Sequence, residues 1–157
     1  MKKWKKALLG VGLVVLGLWM ALFVLQGGIG PWRDHIADDA RKSQRIEEAW
    51  LAEEGGGEEL TALVFYPEDR SRSVFSIYRK DRMPLFGWHF RAGGGVPALD
   101  EGVAEFTAEG FHERAYVSLN PLGACRAELG NAETVALDPE RPYAILTPCG
   151  AVFYDEN

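Results

Sequence analysis

The side chains of this chain that could do chemistry are few and far apart. Cys125 and Cys149 are the only thiols. A bridge between them would close a loop of 24 residues, worth about 3 to 3.5 kcal/mol in the loop-closure model. It would require Cα atoms roughly 4.4 to 6.8 Å apart, and the alternative is a pair of buried apolar thiols. Neither cysteine has a histidine beside it in sequence to act as a base, so nucleophilic catalysis by a thiolate is not expected. The three histidines, His35, His89 and His112, are linked by no H-x-x-x-H, H-E-x-x-H or C-x-x-C spacing. A metal would have to recruit them from separate segments, with Glu109 or Glu113 beside His89 and His112; the simpler reading is polar surface on a half-exposed sheet. No metal, no cofactor and no catalytic residue is therefore assigned. A G-x-S-x-G elbow is missing, and no pair of carboxylates stands out from the acidic background.

The strongest chemical signal is one of charge. Residues 68–91 hold Arg70, Arg72, Arg79, Lys80, Arg82 and Arg91 against three acidic side chains. This local excess sits in a chain of opposite sign. Arg79 is placed near a strand end, Arg82 in the following loop, and Arg91 leads into Gly93, Gly94 and Gly95, whose amides are read as an anion-binding concavity in a loop. Arg79, Arg82 and Arg91 with the glycine triplet form the candidate site, suited to an anionic lipid, an anionic wall polymer or an acidic protein. The competing expectation pairs these arginines with nearby carboxylates. No G-K-[ST] follows the glycines, which speaks against a nucleotide.

Those groups need a scaffold and an address. The chain has 157 residues, 17 basic and 23 acidic, with 47% hydrophobic and 11% aromatic side chains. That apolar content is too high for a disordered chain, and the length fits one globular domain. Four of the basic residues, Lys2, Lys3, Lys5 and Lys6, precede an uncharged run of 19 residues from Ala7 to Leu25, leaving 13 basic against 23 acidic residues in the remainder. Such a remainder is a poor nucleic-acid binder. The apolar run is long enough to cross a hydrocarbon core about 30 Å thick. It is followed by no small-residue cleavage pattern, which favours an uncleaved anchor over a cleaved signal. Residues 7–26 are thus assigned to a lipid bilayer. The dense lysine cluster of residues 1–6 places the N-terminus in the cytoplasm and the C-terminal domain outside it. Gly10, Gly17 and Ala21 share a helix face that would let two copies pair.

After the span, residues 27–57 read as a helical stalk ending in a glycine-rich joint: an amphipathic helix over 32–54, its stripe carried by Trp32, Ile36, Ala40, Ile46, Ala49 and Trp50, then Gly55, Gly56 and Gly57 as a flexible break. From residue 58 to 157 the period becomes strand-like, with turn signals every eight to twelve residues. Strands are expected over 60–66, 73–80, 85–91, around 104–108, 114–120, 133–138, 143–147 and 151–154. In the third, Phe86, Trp88 and Phe90 are assigned to the core, and His89 and Arg91 to the opposite, polar face. The fold class is α+β and mostly β: a transmembrane helix, a short amphipathic helix, and a small antiparallel β-sandwich, barrel-like or curved meander domain. The function expected is an anchored, extracytoplasmic binding or accessory domain, with a membrane-anchored enzyme or a shed domain as the alternatives.

Overall fold

The computed structural model describes residues 2–25, 28–30, 32–82, 86–95, 102–148 and 150–155. The apolar N-terminal run forms one helix, α1 (Lys2–Leu25). Its stretch Trp4–Phe23 is long and apolar enough to cross a membrane, and none of it is buried inside the protein. A 3-10 turn (Arg33–His35) then leads into α2 (Ile36–Gln44).

Helix α2 is shorter than the sequence predicts. It stops where Arg45 takes a left-handed conformation, φ 55°, and closes the C-terminus by donating its N–H to the carbonyls of Arg41 and Lys42. The stripe expectation holds for its first turns, since Ile36 and Ala40 are fully buried. The remainder of the supposed stalk is β1 (Leu51–Gly56), which pairs antiparallel with β2 (Leu60–Tyr66) from Leu51 opposite Tyr66 to Gly56 opposite Thr61. Hydrogen bonding along a sheet edge has overridden a helical pattern. The glycine joint is corrected with it. A side chain at Gly55 would run into the Ala144 carbonyl, at Gly56 into the Arg33 guanidinium, and at Gly57 into the Glu113 carboxylate. These glycines permit close packing.

Ten strands are present among the described residues, the others being β3 (Val74–Lys80), β4 (Trp88–Gly95), β5 (Ala104–Thr107), β6 (Arg114–Ser118), β7 (Ala124–Leu129), β8 (Thr134–Ala136), β9 (Tyr143–Thr147) and β10 (Ala151–Asp155). They make three antiparallel sheets of order β1-β2-β3-β4, β5-β6-β9 and β10-β7-β8. Three apolar clusters join the layers. Ile36 and Ala40 of α2 pack with Leu63, Phe65, Tyr78 and Trp88 on one face of the first sheet. Ala62 and Ile77 on its other face meet Ala115 and Val117 of β6. Tyr116, Tyr143 and Ile145 then meet Ala124, Ala127 and Leu129 of the third sheet. Every residue of β2 is buried, because both faces of its sheet are covered, as its nearly unbroken apolar sequence demands.

The same double cover corrects the reading of residues 85–91. Trp88 is in the core, but Phe90 is 43% exposed and lies edge-on to Tyr78 at 5.6 Å, whereas His89, assigned to a polar face, is 5% exposed. The face His89 occupies is the one that meets the second sheet. Phe86 leaves the domain core to pack on Trp19 of α1, ring centroids 5.6 Å apart.

Helix α1 is joined directly to this domain. Ile29 donates its N–H to the Trp88 carbonyl at 3.1 Å and the Trp88 N–H donates to the Gly30 carbonyl at 3.1 Å, so residues 28–30 add a short length of β pairing at the edge of β4 through the bridges Gly28–His89 and Gly30–Gly87.

Candidate functional site

The predicted basic site separates into two parts. In the β3–β4 ladder Arg79 stands opposite His89 and Lys80 opposite Trp88, at the end next to the 28–30 segment. Alternation sends Arg79 and Lys80 to opposite faces of the hairpin. The Arg79 guanidinium lies 6.0 Å from the Phe111 ring, and the Lys80 ammonium 6.0 Å from the Trp88 ring. Arg82 follows in the exposed connection, beside Gly110. Arg91 is the extra residue where the register shifts, since Tyr78 pairs with Phe90 and Ile77 with Ala92. It is three residues along β4 from Trp88, roughly 10 Å at the rise of a strand.

Gly93, Gly94 and Gly95 are corrected outright. They are not a loop but the last three residues of β4, paired with Ser76, Phe75 and Val74 at the far end of the hairpin. At the edge of its sheet β4 turns only alternate amides toward β3, so the three do not converge as they would in a loop. Glycine at 93 leaves room for the Phe75 carbonyl, 2.8 Å from where a Cβ would stand, and for Gln44, whose amide donates to that carbonyl at 3.0 Å and also bonds to the Ser76 hydroxyl. A Cβ at Gly93 would stand 2.6 Å from that amide nitrogen. The cations at this end of the hairpin are Arg79 and Lys80, on its opposite faces, and Arg82, which follows them; Arg91 lies farther along β4.

The carboxylate-pairing expectation divides in the same way. Arg72 bonds to Glu47 at 3.2 Å and Arg70 bonds to the Glu140 carbonyl. Among the described residues no carboxylate lies within 4.0 Å of Arg79, Lys80, Arg82 or Arg91. The nearest acidic side chain in sequence, Asp81, is instead 3.6 Å from His89 Nε2. Three cations at one end of an acidic domain can hold an anion by charge and hydrogen bonding.

The other expected associations are dispersed. His112 is exposed and donates its backbone N–H to Glu59 at 2.9 Å. The Glu113 carboxylate accepts the backbone N–H groups of Glu58 at 2.6 Å, Glu59 at 3.0 Å and Leu60 at 2.7 Å. His89, His112 and these glutamates form no common site, and no cluster of three or more potential metal ligands occurs among the described residues. The thiol of Cys125, on β7, donates to the Tyr154 carbonyl at 3.6 Å. Cys149, the other half of the expected disulfide, lies outside the described residues.

Sequence reasoning missed a cleft of about 480 Å³ between the second and third sheets. Tyr116, Tyr143 and Phe153 form its aromatic wall, with Phe153 stacked on Tyr143 at 5.2 Å and edge-on to Tyr116 at 5.6 Å. Glu105 and Asp155 stand among its polar lining. Glu105 is already engaged by Arg114 at 2.8 Å. Burial pushes the Tyr143 hydroxyl up to about 12, far from a value useful for acid–base work near neutrality. The only sequence cue was aromatic spacing on strands whose pairing was not known.

No protein-family model matches the chain, and neither a curated protein nor a solved structure is significantly similar to it.

Proposed function

We propose that this is a single-pass membrane protein with a cytoplasmic lysine-rich N-terminus and an extracytoplasmic β domain that serves as a binding or accessory module for an anionic partner or surface. The observation that carries the reading is the junction. Trp19 packs on Phe86, and residues 28–30 hydrogen-bond to the β4 edge, so the end of the apolar helix is built into the domain. A signal destined for cleavage has no use for such contacts. The uncovered apolar surface of α1 supports a bilayer as its surroundings, and the lysines at its start support the orientation. The binding class rests on the cations of the hairpin end.

Two measurements on cells test this. Intact mass of the protein recovered from membranes should include α1, and protease added to spheroplasts should digest the β domain while sparing the N-terminal segment. A mature chain beginning after residue 25 would refute the anchor. A protected β domain with an accessible N-terminus would reverse the topology.

A further inference from the structure

The hairpin end and the helix junction, taken together, identify the anionic partner. We propose that the β3–β4 end is a second membrane contact, in which Phe86 sits beside α1 in the interfacial layer and Arg79, Lys80 and Arg82 bind the phosphates of anionic lipid headgroups in the leaflet from which α1 emerges. This rests on the anchored reading above and names the ligand of the same basic site.

Depth is the first argument. Trp19 comes four residues before Phe23, the outer end of the apolar stretch, or about 6 Å below it along a helix. Phe86, in contact with Trp19, is thereby held near the level at which the apolar stretch ends. Trp88 is bonded to Ile29 and Gly30, only four and five residues past the end of α1. Lys80, opposite Trp88, and Arg79, opposite His89, are the hairpin cations nearest that junction, which the proposal places in a headgroup layer roughly 5 to 7 Å thick on each side. Arg91, about 10 Å farther along the strand, is outside it.

Charge is the second. Arg79, Lys80 and Arg82 are exposed and none has a carboxylate within 4.0 Å among the described residues. Residues 7–157 carry ten more acidic than basic side chains, so an anionic surface repels most of the domain and attracts this end. The third argument is restraint. With residues 28–30 paired to β4, the end of the hairpin that carries Arg79 and Lys80 is tied to the segment that follows α1, which reduces the backbone entropy lost on binding.

Hydrogen exchange on the full chain in lipid nanodiscs tests the proposal locally. Discs of phosphatidylcholine alone are compared with discs holding 30% phosphatidylglycerol. A cation near an anionic surface changes the binding equilibrium about fivefold, so amides of the hairpin peptides containing Arg82 and Phe86 should exchange at least fivefold more slowly in the anionic discs. Arg79→Gln, Lys80→Gln and Arg82→Gln together should abolish that difference, while amides of residues 60–66 report an intact fold. If the triple variant fails to fold, Arg82→Gln alone, at an exposed turn, should reduce the difference. Inorganic phosphate added to phosphatidylcholine discs should not reproduce the protection; if it does, the site takes free phosphate and the lipid assignment is wrong. Equal exchange of the hairpin in both discs, with residues 7–25 protected, overturns the headgroup site and leaves the anchor standing. Rapid exchange throughout residues 7–25 overturns the anchor itself.

Discussion

Glu113 offers a sharp test of how this domain is closed. Its carboxylate takes three backbone N–H groups from the turn between β1 and β2. Replacing Glu113 by Ala removes all three acceptors. The N–H groups of Glu58 and Glu59 can return to water, so each bond is worth only about 0.5 to 1 kcal/mol net, whereas Leu60 is fully buried and its orphaned N–H costs about 1 to 3 kcal/mol. The sum is about 2 to 5 kcal/mol, a large part of the 5 to 15 kcal/mol typical of a domain. Gly57→Ala should cause much of the same loss by another route, because a Cβ there collides with the Glu113 carboxylate and must displace it. In the Glu113→Ala background that collision is gone, and Gly57→Ala should cost under about 0.5 kcal/mol. Urea unfolding of the four proteins in detergent, followed by circular dichroism, gives the coupling directly. Additive losses, or a Glu113→Ala midpoint equal to the parent's, would show that the carboxylate does not hold the turn.

Two further outcomes follow from the packing. Gly93→Ala should cost roughly 1 to 3 kcal/mol by driving the Gln44 amide off the Phe75 carbonyl and pressing on that carbonyl itself, and in a Gln44→Ala background only the first part should disappear; unfolding midpoints read both. Stability should also fall steeply at high pH: Tyr143 is pushed up to about 12 by burial, and Tyr78 is raised by burial and by its bond to Asp39 at 2.7 Å. A raised folded-state value favours the neutral phenol, so the stabilisation is complete below the unfolded value near 10 and is lost as pH rises toward and through 12. Tyr143→Phe should flatten the loss by up to about 3 kcal/mol in chemical denaturation measured from pH 9 to 12; an unchanged slope would refute the assignment.

The fold was legible where local pattern and burial agree. The apolar run of α1, the buried β2 segment and the alternation around Arg114–Ser118 each specify their element without help from distant residues. The pattern failed where a distant partner decides the outcome. Nothing within residues 45–54 announces that β2 will claim Leu51–Gly56, since helix and edge strand differ there by hydrogen bonds to another segment. Gly55 and Gly57 looked like a joint because glycine removes side-chain volume in either case; only the positions of Ala144 and Glu113 reveal that the space is filled. β7 was missed because its short side chains, Ala124, Ala127 and their neighbours, give little periodic contrast even though Ala127 is fully buried. His89 was assigned outward on the assumption of a sheet with one wet face, yet it is buried, beside Asp81 and opposite the 28–30 segment that pairs with β4.

The basic character of residues 68–91 was legible in the sequence, but which of its cations lie at one end of the hairpin was not. Net charge along residues 68–91 is a one-dimensional quantity, and it counts Arg91 and Lys80 alike. Their separation is set by the strand, which carries Arg91 away from the turn, and by the bulge at Arg91 that breaks the alternation on which a facing argument depends. A second ordering comes from α1: contact between Trp19 and Phe86 gives every residue of the hairpin a height along the helix axis, and height decides which cations can meet the same anionic layer. Lys80 gains its place through Trp88, whose backbone is tied to residues 28–30 and whose ring lies beneath the ammonium. The apolar helix and the basic hairpin end, which the sequence presents as separate features some 60 residues apart, are thus brought close once β4 accepts the segment that follows the helix. Under the proposed lipid contact, an anchor on a free stalk would leave the orientation of an acidic domain to repulsion alone, whereas one paired into the sheet edge would select which end of the domain faces the headgroups before any lipid is bound.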